Sequence, residues 1–363
     1  MFTHQNDIMM ERKKPSLKNF FISFLLISTL LFNLAILYKR LFIQPQDCVS
    51  ERCEMVRNIA KVPFDQYIHV AFFGKYAFRN MKIVRGMAKT FHSILDNTHS
   101  PIYLHVLLDS NSKLRTSRTL RKVARIFRRR LNITYYDVND MADQNREAIN
   151  TIRKYFFNKD VGRYNDDIFF LSEVFHDAFP KRLRKIVFLD VDLKFLSDIR
   201  ILYQKFQEFQ PENVIGIGPD LQPQYRVDFG EYRESHPGTP VASARPGRQG
   251  FNTGVVLFDL DRMRQSQLYN SLLNATAVDH LCNKYLFKGY LGHQDFYTLT
   301  GMEYPELYYN LDCSWNRQLD VGWKNEVGND IFDQYHRCEG KTHVMHANGD
   351  SLLPKDSVHL RIN

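Results

Sequence analysis

Residues 185–195 read KIVFLDVDLKF. Four apolar residues, Ile186 to Leu189, run without a break into Asp190-Val191-Asp192. A short apolar run rich in β-branched and aromatic residues suits a strand buried on both faces. In extended geometry side chains two positions apart point the same way, so Asp190 and Asp192 share one side of the backbone. Two carboxylates that end a buried strand are costly unless a cation neutralises them. Hard oxygen ligands of this kind suit Mn²⁺ or Mg²⁺. The plainer alternative is a strand end carrying two solvated acids. The triplet alone does not separate the two readings; its place in the chain favours the metal.

That place follows from the surrounding pattern. Residues 68–73 (IHVAFF), 102–108 (IYLHVLL), 133–136 and 186–189 read as strands. Residues 79–95, a basic stretch from Lys113, and residues 168–179 have helical spacing. Strands alternating with helices of ten or more residues predict an α/β fold with a mostly parallel sheet and helices on both faces. Sites in such sheets lie at the carboxyl ends of the strands, where Asp190 and Asp192 fall. Residues 232–248 (YRESHPGTPVASARPGR) predict a mobile surface loop.

The formal charge is +9, much of it in residues 12–18 and 113–130. The second run carries Leu114, Leu120, Val123, Ile126 and Phe127 at roughly helical spacing, so its charges read as a solvated helix face rather than a nucleic-acid surface. Residues 19–38 hold no charged side chain and match a bilayer core in length. Arg12, Lys13, Lys14 and Lys18 precede them and favour a cytosolic N-terminus. The expected organisation is a cytosolic tail (1–18), a transmembrane signal-anchor (19–38), a stem (39–65) and a lumenal domain (66–363). Asn132-Ile-Thr and Asn274-Ala-Thr are glycosylation acceptor triplets. Five cysteines suit an oxidising lumen, and an odd count leaves at least one free or paired between chains. Cys313 and Cys338 flank one late segment and are the expected bridge.

Four segments, FLDVDLKF (188–195), GFNTGVVLFDLDRM (250–263), GYLGHQDFYTLTGMEYPELYYNLDCSWNRQL (289–319) and HVMHANGD (343–350), resemble retaining glycosyltransferases of the A-type fold, of the family-8 kind. The last three resemble its xyloside-xylosylating members in particular. The resemblance spans roughly residues 66–351 and implies a Rossmann-like nucleotide-sugar-binding domain. It implies a lumenal enzyme of the endoplasmic reticulum, with the Golgi as alternative. The implied enzyme is a type II membrane protein that moves xylose from UDP-xylose, with Mn²⁺, onto xylosyl-glucose on EGF-like repeats such as those of Notch. Asp190, Asp192 and His346 match the metal ligands, although His346 taken alone reads as an ordinary strand-end histidine. Phe73, Gly74 and Lys75 match the strand end that holds uridine and phosphate; a plain turn is the alternative. Val191 falls where a backbone group meets ribose. Asn252, Thr253 and Gly254 match the donor-sugar segment, which otherwise reads as a turn before a strand at 255–260.

Gln294 and Asp295 match the reaction centre. A carboxamide is a poor nucleophile, so the resemblance implies same-face attack, with departing phosphate oxygen taking the acceptor proton. Asp295 also reads as a helix N-terminal carboxylate. Leu291, Trp315, Asn316 and Asn348 are the implied acceptor contacts, with Asn348 and Gly349 also near the diphosphate; a core Trp315 is the alternative. Two departures stand out. After His346 no Lys follows at the spacing of the family's phosphate-binding tail, and His293 occupies a place where Asp is expected. The competing functions are a UDP-glucose or UDP-galactose transferase, an inactive lumenal binding protein, and a basic membrane-tethered binder of polyanions.

Overall fold

The computed structural model describes residues 62–157, 166–349 and 351–354. The expected tail and anchor, most of the stem, and Cys48 and Cys53 lie outside the described residues. Within them, no helix is long and apolar enough to cross a membrane.

Among the described residues ten strands run in chain order: β1 Ile68–Phe73, β2 Ile102–Leu108, β3 Asn132–Asp137, β4 Lys185–Leu189, β5 Leu193–Phe195, β6 Ile215–Pro219, β7 Phe251–Asp259, β8 Tyr308–Asn310, β9 Arg317–Gln318 and β10 Val344–His346. The four longest helices are α1 Met81–Asn97, α2 Lys113–Ile126, α3 Ala275–Tyr285 and α4 His293–Glu303. Among the described residues the main sheet has the order β3-β2-β1-β4-β7-β6-β8. All its pairings are parallel except those of β7, which runs antiparallel to β4 and β6. Strand order reverses at β1, which pairs with β2 on one side and β4 on the other. That reversal opens a crevice above the carboxyl ends of β1 and β4, the usual ligand site of a doubly wound sheet.

Both faces of the sheet are apolar. Ile68, Val70 and Phe72 of β1 enter a core shared with Met87, Phe91 and Ile94 of α1 and Leu120 and Val123 of α2. Ala71 faces the other core, where Phe296, Tyr297 and Leu299 of α4 pack. A second small sheet, β5-β10-β9, stands beside the main one and carries the chain's late residues back to the Asp-Val-Asp segment.

Three expectations are corrected. Residues 168–179 do not form one helix. They wind through 3₁₀ turns at Asp167–Phe169 and Ser172–Val174 and a single α turn at Phe175–Ala178. Phe170, Leu171, Val174 and Phe175 are all buried, so core packing outweighs helical propensity there. On α2, Leu114 and Ile126 are 61% and 54% exposed, whereas Leu120 and Val123 are buried. Each of the exposed pair lies six positions from Leu120, which turns it roughly 240° away on a 3.6-residue helix. Residues 232–248 are fastened to the body rather than loose. Tyr335 donates to the Ala242 carbonyl at 2.6 Å and Arg248 donates to the Met302 carbonyl, while Arg233 bonds the Val241 carbonyl within the segment.

A histidine pair sits at the amino-terminal end of β1. His69 Nε2–H donates to the Phe64 carbonyl at 2.9 Å, which leaves Nδ1 to accept from His105 Nε2–H at 2.9 Å. His105 Nδ1 then accepts from the Tyr136 hydroxyl at 3.0 Å. Burial pushes His69 down to about 4, and burial with His69 and Arg182 nearby pushes His105 down to about 3. An unfolded chain takes up these protons near pH 6.5, whereas the folded chain resists them until about pH 4. Stability from this pair is therefore complete above pH 6.5 and falls as pH drops toward 4. Urea unfolding should show a loss of roughly 3 kcal/mol by pH 4 from His69, with a comparable contribution from His105. His105→Gln should shrink the acid loss, and an identical pH profile in that variant would discard the assignment.

Candidate active site

Asp190 and Asp192 follow directly from β4, and the segment between them is held from three sides. Asp190 N–H donates to the Gly254 carbonyl at 2.9 Å, tying it to β7. Thr90 of α1 donates to the Val191 carbonyl at 3.0 Å. Thr90 Oγ1 also accepts from Leu193 N–H at 3.1 Å. Gly86, one turn earlier, lets the helix approach: a Cβ there would stand 2.5 Å from the Val191 carbonyl oxygen. Finally Ala347 N–H donates to the Asp192 carbonyl at 3.0 Å, next to the pairing of His346 with Leu193 across β10 and β5.

These ties bring His346 Nε2 within 3.6 Å of Asp190 Oδ2 and 3.4 Å of Asp192 Oδ1. One ligand atom from each of the three residues lies within 4.8 Å of the others. The group fits a divalent cation. Asp192 Oδ1 is buried yet accepts no hydrogen bond, and buried oxygens are rarely left so. Two carboxylates with one imidazole suit Mn²⁺ better than the all-oxygen preference of Mg²⁺. Burial opposes a charge on His346, but the carboxylates of Asp192 and Asp190 outweigh it and raise its pKa above the usual histidine value.

Behind His346 lies a chain of amides. His346 Nδ1 is 2.9 Å from Asn316 Oδ1. Asn316 Nδ2 donates to Asn252 Oδ1 at 2.9 Å and to the Asn252 carbonyl at 3.2 Å. Asn252 Oδ1 also accepts from Gly254 N–H at 3.1 Å. Beyond it Asp220, at the end of β6, bonds the Asn252 side chain and is pushed up to about 8 by burial. The Asn252-Thr253-Gly254 segment is thus part of β7 itself and not a turn before it. The register between β6 and β7 shifts at Ile217/Gly218, and this irregularity re-aims the segment toward the metal group.

On the opposite wall, Gln294 lies in the first turn of α4. Its Oε1 accepts from Thr253 N–H at 3.2 Å. His293 donates through Nδ1–H to the Phe169 carbonyl at 2.9 Å, so Nε2 accepts from the Thr253 hydroxyl at 3.1 Å. Burial pushes His293 down to about 4, so it stays neutral. Asp295 is fully buried. Its Oδ2 accepts from Leu291 N–H at 2.6 Å and its Oδ1 from the Tyr225 hydroxyl at 2.9 Å. Burial pushes its carboxyl up to about 7. Asp295 thereby fixes the turn that presents Leu291 and Gln294.

Several expected contacts are placed elsewhere. Trp315 is 2% exposed and stacks on His343 at 4.3 Å, which runs against acceptor stacking. Asn316 is wholly buried behind His346. The Asn348 carboxamide oxygen accepts from Leu319 and Asp320 N–H at 3.0 and 3.1 Å, so it shapes the turn there. The Val191 carbonyl lies within hydrogen-bond reach of the Thr90 hydroxyl, at 3.0 Å. Lys75 is paired with Asp166 at 2.8 Å, and Tyr76 donates to the same carboxylate at 2.5 Å. Gly74 N–H is bound to the Leu107 carbonyl, and Phe73 packs edge-on against Phe188 at 4.8 Å. Gly86, Thr90, Asp166, Asp220 and Tyr225 were not singled out from sequence.

Cys313 and Cys338 form the expected disulfide, and among the described residues Cys282 is free.

The chain belongs to glycosyl transferase family 8, whose sequence profile matches residues 36–351. It is 43% identical to xyloside xylosyltransferase 1 of Mus musculus over 225 residues, 62% of this chain and 57% of that one. The human protein of the same name is 42% identical over the same coverage. The chain thus spans little more than half the length of these curated relatives. The crystal structure of the mouse protein in its apo form superposes with a TM-score of 0.74 at 36% identity, covering 79% of this chain and 99% of that one. The bifunctional glycosyltransferase WbbM, at 14% identity and a TM-score of 0.55 over 80% of this chain and 47% of that one, shares the fold alone.

Proposed function

We propose that the chain is a retaining, Mn²⁺-dependent xylosyltransferase that moves xylose from UDP-xylose onto a xylosyl-glucose acceptor. The observation that carries this reading is the convergence of Asp190, Asp192 and His346 at the strand-order reversal of a family-8 fold. Likeness to xyloside xylosyltransferases supports the choice of sugar and acceptor. The acceptor glycan would sit on EGF-like repeats of secretory proteins, Notch among them. The uncharged stretch at 19–38 supports a type II anchor and a lumenal domain, and the resemblance supports the endoplasmic reticulum, with the Golgi as alternative.

A bound divalent cation supplies Lewis-acid stabilisation of the departing diphosphate. The protein does the rest by position. Thr253 holds the Gln294 carboxamide by its oxygen, so its N–H groups point away from β7. Asp295 has both oxygens engaged and no exposed surface, which disfavours it as a nucleophile. Neutral His293 offers no carboxylate either. Retention then follows from attack on the face the diphosphate leaves, with a phosphate oxygen taking the hydroxyl proton. Gln294 orients the sugar for that step, and Gln294→Ala should lower kcat on the order of 100-fold, the usual cost of losing one aimed polar contact. Donor KM should move much less; an unchanged kcat would remove Gln294 from the reaction.

The direct test is UDP release by the purified lumenal domain with Mn²⁺ and UDP-xylose, UDP-glucose or UDP-galactose, with and without xylosyl-glucose. Acceptor-stimulated release from UDP-xylose is expected. Preference for a hexose donor would overturn the sugar assignment, and no release from any donor would overturn the transferase.

A further inference from the structure

We infer that Asn316 is a positioning residue that locks the His346 imidazole with its Nε2 lone pair toward Asp190 and Asp192. The inference rests on the metal reading of that group. Its logic is one of hydrogen-bond polarity. The Asn252 backbone carbonyl can only accept, so the Asn316 atom 3.2 Å away must be the amide nitrogen. The other end of the carboxamide is therefore the oxygen, and it faces His346 Nδ1 at 2.9 Å. An amide oxygen only accepts, so Nδ1 carries the hydrogen. The remaining ring nitrogen, Nε2, is the one that stands 3.4–3.6 Å from the two carboxylates. With Nδ1 as the fixed N–H, Nε2 is the basic nitrogen a metal requires.

The device is closed against rearrangement. Asn316 is fully buried and has no water to turn toward. Asn252, which orients Asn316, is itself held by Gly254 N–H and by Asp220. The ring cannot swing toward β7 either, because Gly254 faces it closely. Asn316 is part of β7's polar backing rather than of the substrate surface, which replaces the acceptor role read from its sequence position.

Partners that orient a metal-binding histidine typically account for 10- to 100-fold in metal affinity. Mn²⁺ binding to the purified lumenal domain, followed by electron paramagnetic resonance of free Mn²⁺, should therefore weaken on the order of 10- to 100-fold in Asn316→Ala. Acceptor KM, measured at saturating Mn²⁺, should stay near the wild-type value. Should Asn316→Ala fail to fold, Asn316→Thr fills the space with a hydroxyl too short to reach Nδ1, and the same loss is expected. Asp192→Asn serves as the reference for an abolished site. A wild-type protein that binds no Mn²⁺ overturns the metal reading itself. A wild-type protein that binds Mn²⁺ while Asn316→Ala or Asn316→Thr binds it equally well overturns this inference alone. So does a raised acceptor KM at unchanged metal affinity.

Discussion

Asp192→Asn should abolish turnover and leave the domain folded. The substitution keeps the shape of the side chain and removes the negative charge. Within the fold that charge meets the His346 imidazole, 3.4 Å away, which it favours in the protonated form. Asp192 is half-exposed, and its buried Oδ1 accepts no hydrogen bond. What the segment contributes to the fold is made by backbone atoms, chiefly the Asp192 carbonyl accepting from Ala347. Without the second carboxylate the cation loses a ligand, and the departing diphosphate loses its counter-charge. Several kcal/mol of transition-state stabilisation of this kind corresponds to a rate loss on the order of 1,000-fold or more. Thermal unfolding in the absence of metal, at a pH where His346 is neutral, should match the wild type, or rise slightly as repulsion between Asp190 and Asp192 is relieved. Turnover within tenfold of wild type would mean that the paired acids serve some other purpose.

The strands were legible because both faces of the sheet are apolar. Residues 68–73 and 102–108 are buried almost throughout and read as largely apolar runs, each broken by one histidine, with boundaries that match the folded strands. Asp190 and Asp192 were legible for the complementary reason, since charge ending such a run has few physical explanations. The gathering of His346 was not readable from local pattern. It depends on β10 pairing with β5 across some 150 positions of sequence, and three-residue strands carry little periodicity. The resemblance supplied it instead. Residue types in the polar backing were visible while their directions were not. The resemblance implied ligand contacts for Asn316, Asn348 and Asp295. In the folded chain Asp295 and Asn316 spend their hydrogen-bonding atoms on other parts of the protein, as does the Asn348 carboxamide oxygen. A single sequence cannot distinguish a carboxamide that faces a substrate from one that faces a histidine ring.

Gly254→Ala should be the most damaging single-methyl change in the chain's site. A Cβ at this position would stand 2.5 Å from His346 Nδ1, closer still to the ring carbon Cε1, and 3.1 Å from Asn316 Oδ1. None of these neighbours can yield cheaply. The ring is buried, Asn316 is held by Asn252, and the Gly254 carbonyl is bound to Asp190 N–H. The methyl must therefore displace the imidazole toward the carboxylates, or push β7 away from β4 and take Asp190 with it. Either movement separates the three ligand atoms that now share a 4.8 Å group. Overpacking of this type costs about 1–3 kcal/mol of stability. Activity should fall much further, on the order of 1,000-fold, because small displacements of positioned groups already cost about 100-fold and the metal ligand moves as well. Excess Mn²⁺ should restore only part of the rate, which separates a distorted site from a weakened one. The comparison that isolates the cause is Gly218→Ala on neighbouring β6, where a Cβ meets its nearest atom, the Leu311 carbonyl oxygen, at an ordinary 3.5 Å. That variant should retain most of its activity. Equal loss in both would show that β-strand glycine content, and not clearance for His346, is what the sequence protects there.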